Sequence, residues 1–315
     1  MTVFPLFDAH CDTLFAMRES GQALGRNTLH VDLCRGQRYT PRAQFFAIFD
    51  EIAPVNWSQF EAQYALFLQS QAEHAAAMQF CRTAHDAKSA ARLGKLAAFL
   101  SVEGADLLDC SPARLTEAYN LGVRMLTLTW NTANALSGSH MDDAARGLSR
   151  LGREFVQTCA RLGVIVDVSH LSERGFWDVA EEMNTLLVPF IASHSNSAAV
   201  HPHSRNLTDA QFRALTYAGG VAGINLYSDF LSEEPDIDTV ILHIEHFLSL
   251  DPAASRTIAI GADFDGCAAL PRGIRGMQDI ERIAERLLQK NYTDALVCDI
   301  LYHNLMRVVE IVCIM

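Results

Sequence analysis

Along the chain, short apolar runs rich in β-branched and aromatic residues alternate with longer segments in which apolar positions recur every three or four residues. Eight runs read as strands, at residues 3–8, 43–50, 96–103, 124–130, 164–170, 187–194, 221–227 and 257–263. They are nearly continuous in their apolarity rather than alternating, as strands covered on both faces are. The segments between them carry helix ends. Ser111-Pro112 is an N-cap followed by proline at the first helical position, and that helix stops at Gly122. Thr208-Asp209-Ala210-Gln211 reads as a capping box, with Gly219-Gly220 closing the helix. Leu148, Leu151, Phe155, Cys159 and Leu162 fall at helical spacing ahead of Gly163. The longest helical stretch, from Ser58 to about Ala91, has room for one or two helices. Strand and helix alternating eight times predict an α/β fold with a parallel sheet, closed as a (β/α)8 TIM barrel that takes residues 1–315 as a single domain.

In such a barrel the chemistry sits at the C-terminal ends of the strands. The first run closes in Asp8-Ala9-His10-Cys11-Asp12-Thr13, where a two-residue period puts His10 and Asp12 on one side and Cys11 on the other. An imidazole and a carboxylate at the end of a buried strand are tolerated when paired or when they hold a metal. The same kind of residue ends four later runs: Glu103 the third, His170 the fifth, His194 the sixth and Asp263 the eighth. Six metal-competent side chains at one end of one barrel point to a polynuclear metal site rather than to six unrelated capping groups. Their nitrogen and oxygen donors suit zinc ahead of manganese or cobalt. Five ligands are too many for one catalytic zinc with an open position, and they suit two ions sharing a carboxylate. Asp263 is then the spare carboxylate, available for proton transfer. Two ions roughly 3.5–4 Å apart would lower the pKa of a shared water and polarise a carbonyl oxygen. The implied reaction is hydrolysis of an amide or ester.

Composition narrows the partners. With 25 basic against 37 acidic residues the formal charge is −12, which argues against a nucleic-acid surface. No apolar run reaches the ~18–20 residues of a membrane span, and no basic leader precedes the first strand at Met1-Thr2-Val3. The eight cysteines include no Cys-x-x-Cys pair and read as reduced thiols, so the expected setting is cytoplasmic.

The strand ends and the loops beyond them carry the motifs Asp-Ala-His-Cys-Asp-Thr at 8–13, Val-Glu-Gly-Ala at 102–105, Leu-Thr-Leu-Thr-Trp-Asn at 126–131, Asp-Val-Ser-His at 167–170, Ser-His-Ser-Asn at 193–196, Ser-Arg-Asn-Leu-Thr-Asp at 204–209 and Asp-Phe-Asp-Gly at 263–266. Taken together, these motifs resemble the membrane (renal) dipeptidase family of the amidohydrolase superfamily. The resemblance implies a homodimeric enzyme with two Zn2+ per chain that hydrolyses dipeptides, often tolerating a D-residue at the C-terminal position. It implies that His10 and Asp12 hold one ion, His170 and His194 the other, and Glu103 both. It further implies Asp263 as general acid/base and Arg205 as the clamp on the substrate carboxylate, a task that suits a guanidinium fork. Where many relatives carry a histidine after the fourth strand, this chain has Trp130, read either as a pocket wall with one N–H donor or as a sign of altered substrate choice.

His140, in the Gly- and Ser-rich loop beyond Trp130, is expected to face water or to swing over the site as a replacement donor. His243 and His246 are expected on a solvent-facing helix rather than as a metal pair. His201 and His203 flank Pro202 ahead of Arg205 as loop polar groups or substrate contacts, and Asp265 is expected to support the metal ligands. Alternative functions are hydrolysis of N-acyl-amino acids or lactams with the same metals, and a metal-holding scaffold without catalysis. Retention of Asp263 and Arg205 speaks against the scaffold.

Overall fold

A computed structural model describes residues 3–314. Met1 and Thr2, which the sequence places ahead of the first strand, and Met315 lie outside them. Nine parallel strands follow in chain order: β1 Leu6–Asp8, β2 Arg42–Ile48, β3 Met78–Phe80, β4 Leu96–Glu103, β5 Val123–Thr127, β6 Ile165–Asp167, β7 Ile191–Ala192, β8 Val221–Ile224 and β9 Ile258–Ile260. All but β3 pair in a ring, β1-β2-β4-β5-β6-β7-β8-β9, which the contact of Asp8 with Ile260 closes. This is the expected (β/α)8 barrel.

Each expected run overlaps one barrel strand, with β2 and β5 starting one residue earlier than expected and most strands ending short of the run, where the chain turns into a loop. The sixth run is trimmed at its start as well. Leu187 is the left-handed cap of helix Glu173–Leu186, and 89 % of its surface faces solvent. The added strand is β3. It divides the long helical stretch into Trp57–Glu73 and Ala84–Arg92, each opened by a capping box, at Asn56 and Thr83. Three residues paired only with the start of β4 are too short a run to stand out from the helical pattern around them.

Side-chain parity builds the interior. Along β4, Leu96, Ala98, Leu100 and Val102 pack outward with the helices, while Ala97 and Phe99 join Phe7, Phe45, Met125, Ile165, Ile191, Val221 and Ala259 inside. The rings of Phe7, Phe45 and Phe99 lie within 5.6 Å of one another. Tyr302 meets Phe7 from below at 5.9 Å, so the C-terminal segment plugs the bottom of the barrel. With that end filled by apolar side chains, polar inward positions are left only toward the other mouth. Among the described residues no helix is long and apolar enough to cross a membrane.

Candidate metal centre

The parity that buries Phe99 inside the barrel carries Ser101 and Glu103 up the same face to the mouth, where loops after β1, β6, β7 and β9 converge. Although β1 ends at Asp8, the chain continues extended and Cys11 bridges Phe264 beyond β9. His10 and Asp12 therefore stay on one side, whereas the Cys11 thiol donates to the Phe45 carbonyl at 3.5 Å, in the barrel wall.

Glu103 stands at the centre. Its Oε2 lies 3.4 Å from His10 Nε2, which is also 3.4 Å from Asp12 Oδ2. Its Oε1 lies 2.9 Å from His170 Nε2 and 3.5 Å from His194 Nε2. Donor atoms of His10, Asp12 and Glu103 fall within 4.8 Å of one another, as do those of Glu103, His170 and His194. The two triads share Glu103, which turns one oxygen toward each. A third triad of the same span joins His10, His194 and Asp263. All six side chains predicted from the strand ends are thus brought together, and all are buried.

The residues fit metal ions. Among the described residues, buried His10 Nε2 and Asp12 Oδ1 have no hydrogen-bond partner, a costly state that a cation in their triad would relieve. Outer hydrogen bonds turn the imidazole lone pairs inward. Ser193 Oγ donates to Asp167 Oδ2 at 2.5 Å and accepts from His194 Nδ1 at 2.7 Å, which leaves His194 Nε2 free to coordinate. Asp167 is held in turn by Thr127 Oγ1 at 2.6 Å and by the N–H groups of Ser169 and Ser193 at 3.0 and 2.8 Å. His170 Nδ1 donates to Asn131 Oδ1 at 2.9 Å. Such supports fix tautomer and ring orientation.

The electrostatics are those of a carboxylate cluster in need of positive charge. Burial pushes Asp12 up to about 7 and Asp263 up to about 6. Burial would also raise Glu103, but the imidazoles of His10 and His170 hold it well below the usual range. Burial, with the Arg205 guanidinium nearby, presses His170 down to about 4. His194 is likewise pressed well down, by burial and by His10. His10 moves the other way, since Glu103 and Asp12 outweigh its desolvation.

Local backbone contributes as well. His170 and Asp263 hold left-handed φ values of 66° and 59°, which non-glycine residues adopt only where their surroundings impose them. Asn225 Nδ2 donates to Asp263 Oδ2 at 2.9 Å. At Gly266 a Cβ would stand 2.0 Å from Asp12 Oδ2 and 2.6 Å from Asp263 Oδ1, so a larger residue here would push the two carboxylates out of the cluster. Asp265 supports the same loop, accepting from Thr13 Oγ1 and from the His30 N–H, both at 2.6 Å. His30, which carries no sequence signal, accepts in return from the Asp265 N–H at 3.0 Å.

Above the cluster opens a cleft of about 560 Å3. Trp130 is one of its walls, edge-on to Phe49 at 5.1 Å, with Phe15 beyond at 5.3 Å from Phe49. His203, Tyr227 and Phe230 line it too. Arg205 does not itself line the cleft: it is buried against Phe230, its Nη2 reaching the His194 carbonyl at 3.4 Å while its Nε has no partner among the described residues. His203 Nδ1 accepts from the Arg205 N–H at 3.1 Å, making His203 a loop support, and His201 does not line the cleft.

His243 departs from its expected solvent-facing place. It is fully buried, accepting from the Ser197 N–H at 3.1 Å and donating to the Leu231 carbonyl at 3.1 Å. It thereby ties together the loops after β7 and β8, while half-buried His246 pairs with Asp209 at 2.8 Å. Both nitrogens of His243 are used in the neutral form, and burial lowers its pKa to about 4. Below its unfolded value near 6.5 the unfolded chain binds a proton that the folded chain refuses. Stability is therefore complete above about 6.5 and falls between there and about 4, by on the order of 3 kcal/mol from this group. Denaturant titrations in chelator from pH 7.5 to 4.5 are expected to show this loss, and His243→Gln a shallower one. Parallel pH dependences would show that His243 titrates normally in the fold.

The family model described as membrane dipeptidase, peptidase family M19, matches residues 1–314. An uncharacterised dipeptidase of Schizosaccharomyces pombe is 31% identical in an alignment covering 89% of this chain and 72% of that protein. A metallopeptidase of Rhodobacter sphaeroides, solved with a phosphinate mimic of the dipeptide L-Ala-D-Ala, superposes with a TM-score of 0.88 at 25% identity, over 99% of this chain and all of that one. A probable dipeptidase of Pseudomonas aeruginosa superposes at 0.89 with 18% identity, covering 98% of this chain and 95% of the other, a likeness of fold.

Proposed function

The chain belongs to the membrane dipeptidase family of metallopeptidases, and from that premise we propose that it hydrolyses dipeptides with two zinc ions held by the paired triads at the barrel mouth. The observation that carries the reading is Glu103, with one oxygen toward His10 and the other toward His170 and His194. His10 and Asp12 would hold the first ion, His170 and His194 the second, and Glu103 both. Bound there, zinc supplies a water ionised near neutral pH and a Lewis acid for the scissile carbonyl.

The chain's own residues do the remaining work. Arg205 pairs with the C-terminal carboxylate of the substrate, consistent with the unpartnered Nε of a buried guanidinium. The aromatic walls flank the substrate's side chains and keep bulk water from the cluster. Asp263, raised toward neutrality by burial, takes the proton from the attacking water and returns it to the departing amine. Tolerance of a D-residue at the C-terminal position is part of the proposal, supported by the L-Ala-D-Ala mimic seated in the R. sphaeroides enzyme.

Turnover of L,L- and L,D-dipeptides by the zinc-loaded protein tests the reading, and no hydrolysis of either would end it. Arg205→Met is expected to lower kcat/KM for free dipeptides roughly 10–100-fold, the worth of a charged hydrogen-bond pair. Dipeptide amides, poor substrates from the outset, should be hardly affected. Equal losses on both would make Arg205 structural.

A further inference from the structure

His140 lines the cleft but belongs to neither triad nor to the substrate clamp. We propose that His140 is a positioning residue, joining the Ser204–Arg205 loop to the metal-ligand candidate His170 through the side chain of Asn131. The inference rests on the dinuclear reading above and adds to it a mechanical link between substrate capture and the second ion.

The link is continuous and its protons have one consistent direction. Asn131 Oδ1 lies 2.9 Å from His170 Nδ1 and 2.8 Å from His140 Nε2. A carbonyl oxygen only accepts, so both imidazoles donate to it. With its proton on Nε2, His140 offers a bare Nδ1, which accepts from Ser204 Oγ at 2.8 Å. Ser204 is the residue before Arg205. The backbone reinforces the connection, because the His140 N–H donates to the His170 carbonyl at 2.8 Å and the two rings meet edge-on at 5.7 Å. His170 keeps its left-handed φ of 66° within that grip.

Both readings of His140 open from the sequence are displaced. It is not a free loop histidine, since Ser139 Oγ donates to the Asn131 carbonyl at 2.6 Å and accepts from the N–H groups of Met141 and Asp142 at 3.2 and 2.9 Å, which pins the loop. Nor does it present a spare N–H to a substrate oxygen, because both ring nitrogens already have partners.

Removing different parts of the link should give different losses. His140→Leu abolishes both arms. Its zinc affinity, measured by competition against a graded chelator, is expected to fall 10–100-fold for the weaker-held ion, the usual cost of an outer ligand support. His140→Gln returns an N–H donor toward Asn131 and should recover most of that affinity. Ser204→Ala removes only the loop arm, and should raise KM about two- to tenfold, a neutral hydrogen bond's worth, with zinc affinity held. A merely structural histidine would lower the melting temperature without this division between KM and zinc affinity. Wild-type zinc affinity in His140→Leu, or an unchanged KM in Ser204→Ala, would overturn the link. Should His140→Leu fail to fold, His140→Gln and Ser204→Ala still decide. Zinc competition needs no turnover, so a wild-type protein inert toward dipeptides would defeat the functional reading while the zinc affinities of His140→Leu and His140→Gln still decide the link.

Discussion

Glu103→Ala is expected to strip the protein of both ions and to lower kcat/KM by roughly 10³-fold or more. The size follows from the shared position. One oxygen faces His10 and the other faces His170 and His194, so a single substitution reduces both triads to two side chains each. Under the proposed mechanism it removes the ionised water and the carbonyl polarisation together, each comparable with losing an oxyanion donor at about 10²–10³-fold. Elemental analysis of the wild-type protein should give about two zinc ions per chain, and of the variant less than one. Glu103→Gln serves as the control. It keeps the shape and removes the charge that the imidazoles of His10 and His170 hold ionised against burial. If Glu103→Gln keeps its fold while losing zinc, the loss is one of ligand charge rather than of packing. Two ions in Glu103→Ala would exclude Glu103 as the shared ligand.

The barrel and the six clustered side chains were legible in the sequence for one reason. A strand covered on both faces must be apolar almost throughout, so a His, Asp or Glu where the apolarity stops stands out against its background. Glu103 after Ser101-Val102 and His170 after Val168-Ser169 are such cases. The supports were not legible, because each depends on a partner far along the chain. Asn225 meets Asp263 across 38 residues, His243 meets Ser197 across 46 and His30 meets Asp265 across 235. Hydrophobic period reports which face of an element is buried, and it carries no information about which loop lies against that face. His243 shows the consequence, a polar residue on a helix that is in fact a neutral clamp in the core. Gly266 closes the Asp-Phe-Asp-Gly motif, but what favours glycine there is the carboxylates of Asp12 and Asp263 beside it.

Asp263→Asn is the second large effect, and it separates two roles that the geometry offers. Asp263 shares a metal-sized triad with His10 and His194, which would make it a ligand. Its carboxyl is also raised to about 6 by burial and held through Oδ2 by Asn225, leaving Oδ1 for a proton in transit. An asparagine keeps the volume and keeps an oxygen for the Asn225 donor, so the left-handed turn at this position should survive. If proton transfer is its chief task, kcat falls about 10²–10⁴-fold, the usual contribution of a general acid-base group, while most of the zinc remains. If it chiefly holds an ion, zinc content and kcat fall together, and added zinc restores part of the activity. The first outcome is expected, because His10, Asp12, Glu103, His170 and His194 already complete two triads without it. Near-normal turnover in Asp263→Asn would remove this carboxylate from the mechanism and leave the attacking water's proton to a group outside the cluster.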